Sequence, residues 1–226
     1  MTSSSHYPRK RYNVHNFSFD VDETYAKKNN EILRDAKRLQ ISALCLGLIL
    51  AGGAFAVYYF SDGAIWMWMI AIVMVFLALL SFIMIPVIPR QMGNAQTLYD
   101  NYELAPAIIA EVNPRDVVLL ALVNRNVNPN AKPEWALATR TIVRVGAHER
   151  RLGERIPSVA ITGRRTVKDQ DHWDEISPMP ITWGTTDKDI IRAAEKTIPH
   201  EQWAKLEKNR NKLDEVKKTP NNLFNL

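Results

Sequence analysis

The chain has 226 residues, 46% hydrophobic and 23% charged, with a formal net charge of +5 and one cysteine, Cys45. One thiol makes no internal disulfide and cannot by itself hold zinc or an iron–sulfur cluster, so cysteine-built cofactor sites are excluded and a reducing compartment fits. The length suits one ordinary domain plus something further.

Residues 1–19, MTSSSHYPRKRYNVHNFSF, form a polar and aromatic arm whose basic stretch Pro8–Tyr12 could lie on anionic headgroups. From Asp22 to Gln40 an acidic start, apolar Ile32, Leu33, Ala36 and Leu39, and a basic end read as a helix suited to its own dipole. The expectation is one long helix running on into the next segment, with residues 1–40 as a cytoplasmic arm.

Two apolar runs follow. Residues 41–60, ISALCLGLILAGGAFAVYYF, and residues 64–85, AIWMWMIAIVMVFLALLSFIMI, contain no charged side chain. Each reaches the roughly 20 residues that a membrane-spanning helix needs, and neither has a polar face. Ser61-Asp62-Gly63 between them is a turn sequence. The reading is a transmembrane hairpin: a first helix over 41–60, an outward turn at 61–63 and a second helix over 64–88, broken by Pro86 and Pro89. Lys27, Lys28, Arg34, Lys37 and Arg38 precede the first span, Arg90 follows the second, and the turn has no basic residue. The positive-inside rule then places both termini in the cytoplasm of a bacterial plasma membrane. Tyr58, Tyr59, Trp66 and Trp68 fit an interface belt at the outer end.

All five histidines (His6, His15, His148, His172 and His200) lie outside residues 41–90, so this chain alone offers no axial histidine for a haem in the bilayer. The methionines of the second span read as apolar filling. With no ionisable side chain away from its tip, the hairpin is expected to anchor and dock rather than conduct. Ala43, Gly47, Ala51 and Ala54 recur at helical spacing and form a candidate helix-docking face. Packing of that face on the second span is an equally good reading.

Residues 91–226 carry 20 basic and 18 acidic side chains, a mixed surface rather than a nucleic-acid footprint. Leu104–Val112 and Val117–Val123 flank a Pro114 turn and read as a hairpin. Trp135–Val145, Arg155–Gly163 and Met179–Gly184 read as further strands of a small antiparallel sheet or barrel. A helix capped by Thr186 and running to Thr197, then another from Pro199 to Val216, complete an α+β domain. The tail through Leu223, Phe224 and Leu226 reads as an apolar strap.

Two constellations could carry chemistry. Lys168–Pro180 gathers Asp169, Asp171, His172, Asp174 and Glu175, but at no known metal spacing, and a solvated acidic loop with Trp173 tucked inward is the simpler reading. An enzyme working through Asp171, His172 and Asp174 is the sharper alternative. Arg150, Arg151, Arg155, Arg164 and Arg165 lie in turns beside Gly153 and Gly163 and are candidate contacts for a phosphate-bearing ligand or anionic lipid. Pairing with the acidic loop is the competing reading. No motif for nucleotide binding or nucleophilic catalysis is present, so no catalytic, cofactor-binding or metal-binding residue is assigned.

The segments EWALATRTIVRV, RIPSVAITGRRTVKDQDHWDEISPMPITWGT and IPHEQWAKLEKN resemble an actinobacterial family of membrane proteins whose domain has no assigned function. The similarity covers roughly residues 95–226. It implies two spans followed by a cytoplasmic α+β domain, and no transferable catalytic residues. It also points to corynebacteria, where small two-span proteins resemble accessory subunits of the cytochrome bcc–aa3 respiratory supercomplex. The resemblance therefore implies a non-catalytic accessory subunit whose partners are cytochrome bcc and aa3 subunits and membrane lipids, with no nucleic acid. A membrane-tethered module binding a phosphate or an anionic lipid is the alternative.

Overall fold

In a computed structural model, residues 17–60, 64–128, 131–167 and 169–226 are described. The basic arm at Pro8–Tyr12, the turn at 61–63 with Asp62, and Lys168 lie outside them. Two units emerge, residues 30–95 and a domain of residues 96–226 joined by the segment preceding residue 30.

The first unit holds the two apolar runs, which become α2 (Glu31–Tyr59) and α3 (Ile65–Met92). Both are long and apolar enough to cross a membrane, and only 11% of either apolar window is buried within the protein. Their pairing is antiparallel: Gln40 meets Ile85, Gly47 meets Phe82, Gly53 meets Met74 and Tyr58 meets Trp68. A seam of buried or half-buried positions runs along each helix, Gln40, Ala43, Gly47, Leu50, Ala54 and Val57 on α2 and Met67, Ala71, Met74, Ala78, Ser81, Ile85 and Ile88 on α3, with Gly53 and Phe82 half-buried beside it. Both sets step by alternating threes and fours, the 3.5-residue repeat of a left-handed helix pair. Small residues on α2 face larger ones on α3. A Cβ on Gly47 would stand 2.8 Å from Phe82 Cε1, and one on Gly53 would stand 2.4 Å from Met74 Cε.

Two expectations for this unit change. Pro86 and Pro89 do not break the second helix, which continues to Met92 and ends at Gly93 with φ 70°. Pro89 has no N–H for the carbonyl of Ile85 four residues earlier, and Gln40 Nε2 donates to that carbonyl at 2.9 Å. The helix over Asp22–Gln40 is also not continuous. A short α1 (Glu23–Asn29) stops, and Asn30 starts α2 afresh, its Oδ1 accepting from Ile32 N at 2.9 Å and Leu33 N at 3.4 Å.

In the domain, α4 (Ala95–Asp100) leads into β1 (Leu104–Ala105), β2 (Ala107–Val112) and β3 (Val117–Asn124). The single strand expected over Leu104–Val112 divides at Pro106, which cannot donate to a ladder. β1 pairs with β5 (Ser158–Thr162), whereas β2 pairs with β3 through the expected turn, closed by Asn113 N donating to Asp116 O at 2.9 Å. β4 is Trp135–Ile142 and β6 is Ile176–Pro180. Two antiparallel sheets result, β1-β5-β6 and β2-β3-β4-β7, where β7 (Leu223–Asn225) is the expected C-terminal strap added to the edge of β4. β3 is buried on both faces, which explains why VVLLALV shows no alternation. Between the sheets the core is largely alanine: Ala105, Ala107, Ala121, Ala136, Ala138 and Ala160, with Val123 and Ile176.

Three more expectations are corrected. Met179–Gly184 is not a strand; β6 ends at Pro180 and Ile181–Trp183 form a 3₁₀ turn. That turn is fixed by Trp183, fully buried, whose Nε1 donates to Arg144 O at 2.7 Å. α5 (Lys188–Thr197) is capped by Asp187, one residue after Thr186, with Asp189 N donating to Asp187 Oδ1 at 2.8 Å. The helix from Pro199 to Val216 is two, α6 (His200–Lys208) and α7 (Leu213–Lys217), parted where Asn209 Nδ2 bonds back to Lys205 O at 2.8 Å.

The segment before the hairpin packs on this domain. Phe17 and Phe19 are buried, Phe19 meets Tyr99 edge-on at 5.1 Å, and Asp22 N donates to Gly184 O at 3.0 Å. Gln96 joins the two pieces twice, accepting from Val21 N at 2.9 Å and donating to Phe19 O at 2.8 Å.

Candidate functional site

The arginines do not converge. Arg150, Arg151 and Arg155 precede β5 and Arg164 and Arg165 follow it, so the strand holds the two groups at its opposite ends. Gly153, at φ 81°, permits the first turn. Arg150 donates to Asn113 O at 3.1 Å, Arg151 to Glu154 at 2.7 Å, and Arg155 to Glu195 at 3.4 Å while covering the Trp203 ring. At the other end Arg164 donates to Glu175 at 3.3 Å, and Arg165 lies over Trp173 and reaches Gln170 O at 3.4 Å. Each guanidinium thus has a partner within the domain. Arg164 and Arg165 pair with the acidic loop, whereas the other three pair elsewhere.

The acidic loop is sorted by its partners rather than focused on one point. His172 Nδ1 lies 2.8 Å from Asp169 and its Nε2 lies 3.0 Å from Glu134, which ties the loop to the segment before β4. The hydrogen bond from Asp169, with the charges of Asp169 and Glu134, raises the imidazole above its ordinary value despite a counteracting desolvation. The same contact holds the Asp169 carboxyl below its ordinary range. Asp174 accepts from Thr166 N at 2.7 Å and stands 3.8 Å from Arg125. Trp173 packs on the alanine core, as expected of it. Among the described residues no group of three His, Cys, Asp or Glu side chains is arranged to hold a metal.

His148 was not singled out by its sequence context. Burial pushes its imidazole below the ordinary value, against the pull of Glu154 at 3.5 Å. Its Nε2 is buried without a hydrogen-bond partner among the described residues.

On the hairpin, Gly47 and Ala54 are buried against α3 and Ala43 is half-buried there, so most of the small-residue face packs on the second span. Ala51 is exposed. With Ala54, Ala71 and Ala78 it floors an apolar groove of about 520 Å³ along one flank of the pair, walled by Phe55, Trp68, Val75 and Phe82. Tyr58 and Trp68 meet edge-on at 5.0 Å near the groove's end, and Tyr59 and Trp66 are exposed close by in sequence. The α3 side of this groove has no signature in the sequence beyond alanines seven apart at 71 and 78.

A second hollow was not anticipated. Residues of both sheets line a cleft of about 400 Å³ in the domain, with Ala105 of β1 and Ala160 of β5 among them. Its aromatic lining, Tyr102, Trp135 and Trp173, comes from stretches far apart in sequence.

Residues 90–214 match the family model described as a protein of unknown function, DUF3239. The chain is also similar to a crystal structure from Corynebacterium diphtheriae described as a candidate membrane protein. The two share 56% identity with a TM-score of 0.53, over 55% of this chain and 100% of that one. No curated protein matches the chain.

Proposed function

The chain belongs to the DUF3239 family of proteins of unknown function, and from that premise we propose that it is a non-catalytic accessory subunit that stabilises a larger membrane complex. The candidate assembly is the cytochrome bcc–aa3 respiratory supercomplex, in keeping with the corynebacterial origin of its structural neighbour. The observation that carries the docking role is the groove on the hairpin. Its floor is four alanines and its lining is apolar throughout, the surface on which a partner helix approaches closely. No charged side chain occurs in residues 41–60 or 64–85, so the spans supply neither an ion path nor a proton relay.

A second feature supports the topology. Residues 17–29 precede the spans, residues 96–226 follow them, and the two fold as one unit. A chain with that arrangement leaves and re-enters the same side, which suits two crossings. The basic flank at Lys27–Arg38 favours the cytoplasmic side.

The test is purification of the tagged full chain in mild detergent, with mass spectrometry of what co-elutes. Stoichiometric cytochrome bcc and aa3 subunits are expected. Recovery with other membrane subunits removes the respiratory assignment, and recovery alone removes the accessory role. The separated chain is expected to show no haem absorbance.

A further inference from the structure

The cleft between the sheets has a lining of a particular kind. Three half-buried rings, Tyr102, Trp135 and Trp173, stand over a floor that includes Ala105 and Ala160. A bulky side chain at either position would intrude on the space. The volume of about 400 Å³ lies within the roughly 300–1,000 Å³ of small-molecule sites.

Part of the polar lining is neutral and unspent. The Tyr102 and Thr162 hydroxyls and the Gln202 amide make no hydrogen bond among the described residues, and all three line the cleft. Asn124, also in the lining, uses its Oδ1 to accept from Asn126 N and Glu134 N, both at 3.0 Å, while its Nδ2 makes no hydrogen bond among the described residues. Among the described residues no Lys, Arg or His lines the cleft, which disfavours a phosphate or carboxylate ligand. The one carboxylate among the described lining residues, Glu103, has interactions of its own within the chain.

Aromatic faces also attract cations, but two of these rings are already engaged. Lys205 Nζ lies 5.5 Å from the Trp135 ring centroid and the Arg165 guanidinium 4.8 Å from that of Trp173, and neither cation lines the cleft. A quaternary ammonium would meet two rings that already face a cation, and would leave the hydroxyls and amides unused. A ligand with apolar C–H faces and several hydroxyls uses both halves of the lining. Its ring stacks on tryptophan or tyrosine, and its hydroxyls pair with groups that both donate and accept.

We propose that the cleft bounded by Tyr102, Trp135, Trp173, Thr162 and Gln202 binds a neutral sugar of one or two residues, free or as the headgroup of a glycolipid. The site is independent of the docking role of the hairpin.

The test uses the full chain in nanodiscs. Maltose, trehalose and mannobiose are titrated by calorimetry against lipid-only discs, and the same discs are then prepared with diglucosyl diacylglycerol and probed by saturation-transfer NMR. Choline chloride and sodium phosphate serve as competitors. Saturable binding of a disaccharide or of the glycolipid headgroup is expected, and the arm that responds identifies the source. Ala160→Leu should abolish it. Gln202→Ala and Thr162→Val, which leave the core intact, should each weaken it at least fivefold with an unchanged melting temperature. Failure of every sugar arm overturns the proposal. So does tighter binding of choline or phosphate than of any sugar, or sugar binding that the Gln202 and Thr162 variants leave unchanged.

Discussion

His172 and His148 lie in opposite surroundings within one domain. His172 is held by Asp169 at 2.8 Å and Glu134 at 3.0 Å, so its folded-state affinity for a proton exceeds that of the unfolded chain. The stabilisation it gives is complete below the unfolded imidazole value and is lost as pH rises through the raised folded value. Asp169, lowered by the same contact, adds stability that is lost as pH falls through its own depressed value. The contact is therefore strongest between those two limits. His148 behaves inversely: burial disfavours its charged form, so its contribution falls as pH drops below the ordinary imidazole range. NMR titration should place the two imidazoles on opposite sides of the ordinary value. His172→Gln should remove the loss of domain stability on the alkaline side and the acid-side loss that Asp169 owes to His172, leaving on the acid side the contribution of His148. Titration of both at the same pH would contradict these assignments.

At the same scale, two glycines of the first span make a paired prediction. A Cβ at Gly47 meets the Phe82 ring at 2.8 Å, whereas one at Gly52 meets nothing within 4 Å. Gly47→Leu should destabilise the hairpin by about 1–3 kcal/mol, the usual cost of overpacking, measured by unfolding in detergent. Gly52→Leu should leave the same measurement near wild type.

The helix pair supplies a stricter test at the scale of elements. Gln40 donates to the Ile85 carbonyl that Pro89 leaves without its helical partner. Gln40→Ala should cost about 1 kcal/mol, as interhelical hydrogen bonds in membranes do. In a Pro89→Ala background, where residue 89 regains an N–H, the same change should cost almost nothing. Equal costs in both backgrounds would show that the Gln40 bond does not compensate for the proline. In the domain, β7 closes the edge of β4 through Ala136–Asn225, Leu137–Phe224 and Ala138–Leu223 pairs. Removing residues 223–226 should expose that edge and promote association of the domain, read by light scattering.

These elements also show what a sequence can carry. The spans, the β2–β3 hairpin and the strand nature of β3, β4 and β5 follow from charge-free length, a proline turn and apolar runs, all local signals. What escaped depended on partners remote in the chain. Pro86 and Pro89 look like helix breakers until Gln40 is placed 2.9 Å from the freed carbonyl. Met179–Gly184 looks like a strand until Trp183 is anchored to Arg144 O. Asn30 lay inside an uninterrupted helical pattern, and its role as the cap of α2 shows only in the structure. The candidate sites fared similarly. The arginines were visible as clusters, but only the fold shows them at opposite ends of β5. The cleft was illegible, because alanines spaced along several strands read as ordinary filling until the two sheets face each other.

For the whole molecule, the proposed docking role makes a prediction about the two flanks of the hairpin. The apolar exterior of the hairpin offers one flank shaped for close helix contact, while the domain ties the chain before the spans to the chain after them. If the groove is where a partner helix seats, contact should depend on which flank is probed. Ala51 lines the groove, and Ile49, 70% exposed, lies outside it on the same helix. The direct measurement is photo-crosslinking in intact cells, with the reactive residue placed at Ala51 in one variant and at Ile49 in the other. A single crosslink to a multi-spanning membrane subunit from Ala51, with only lipid captured from Ile49, is the predicted result. Lipid alone at both positions would contradict the account.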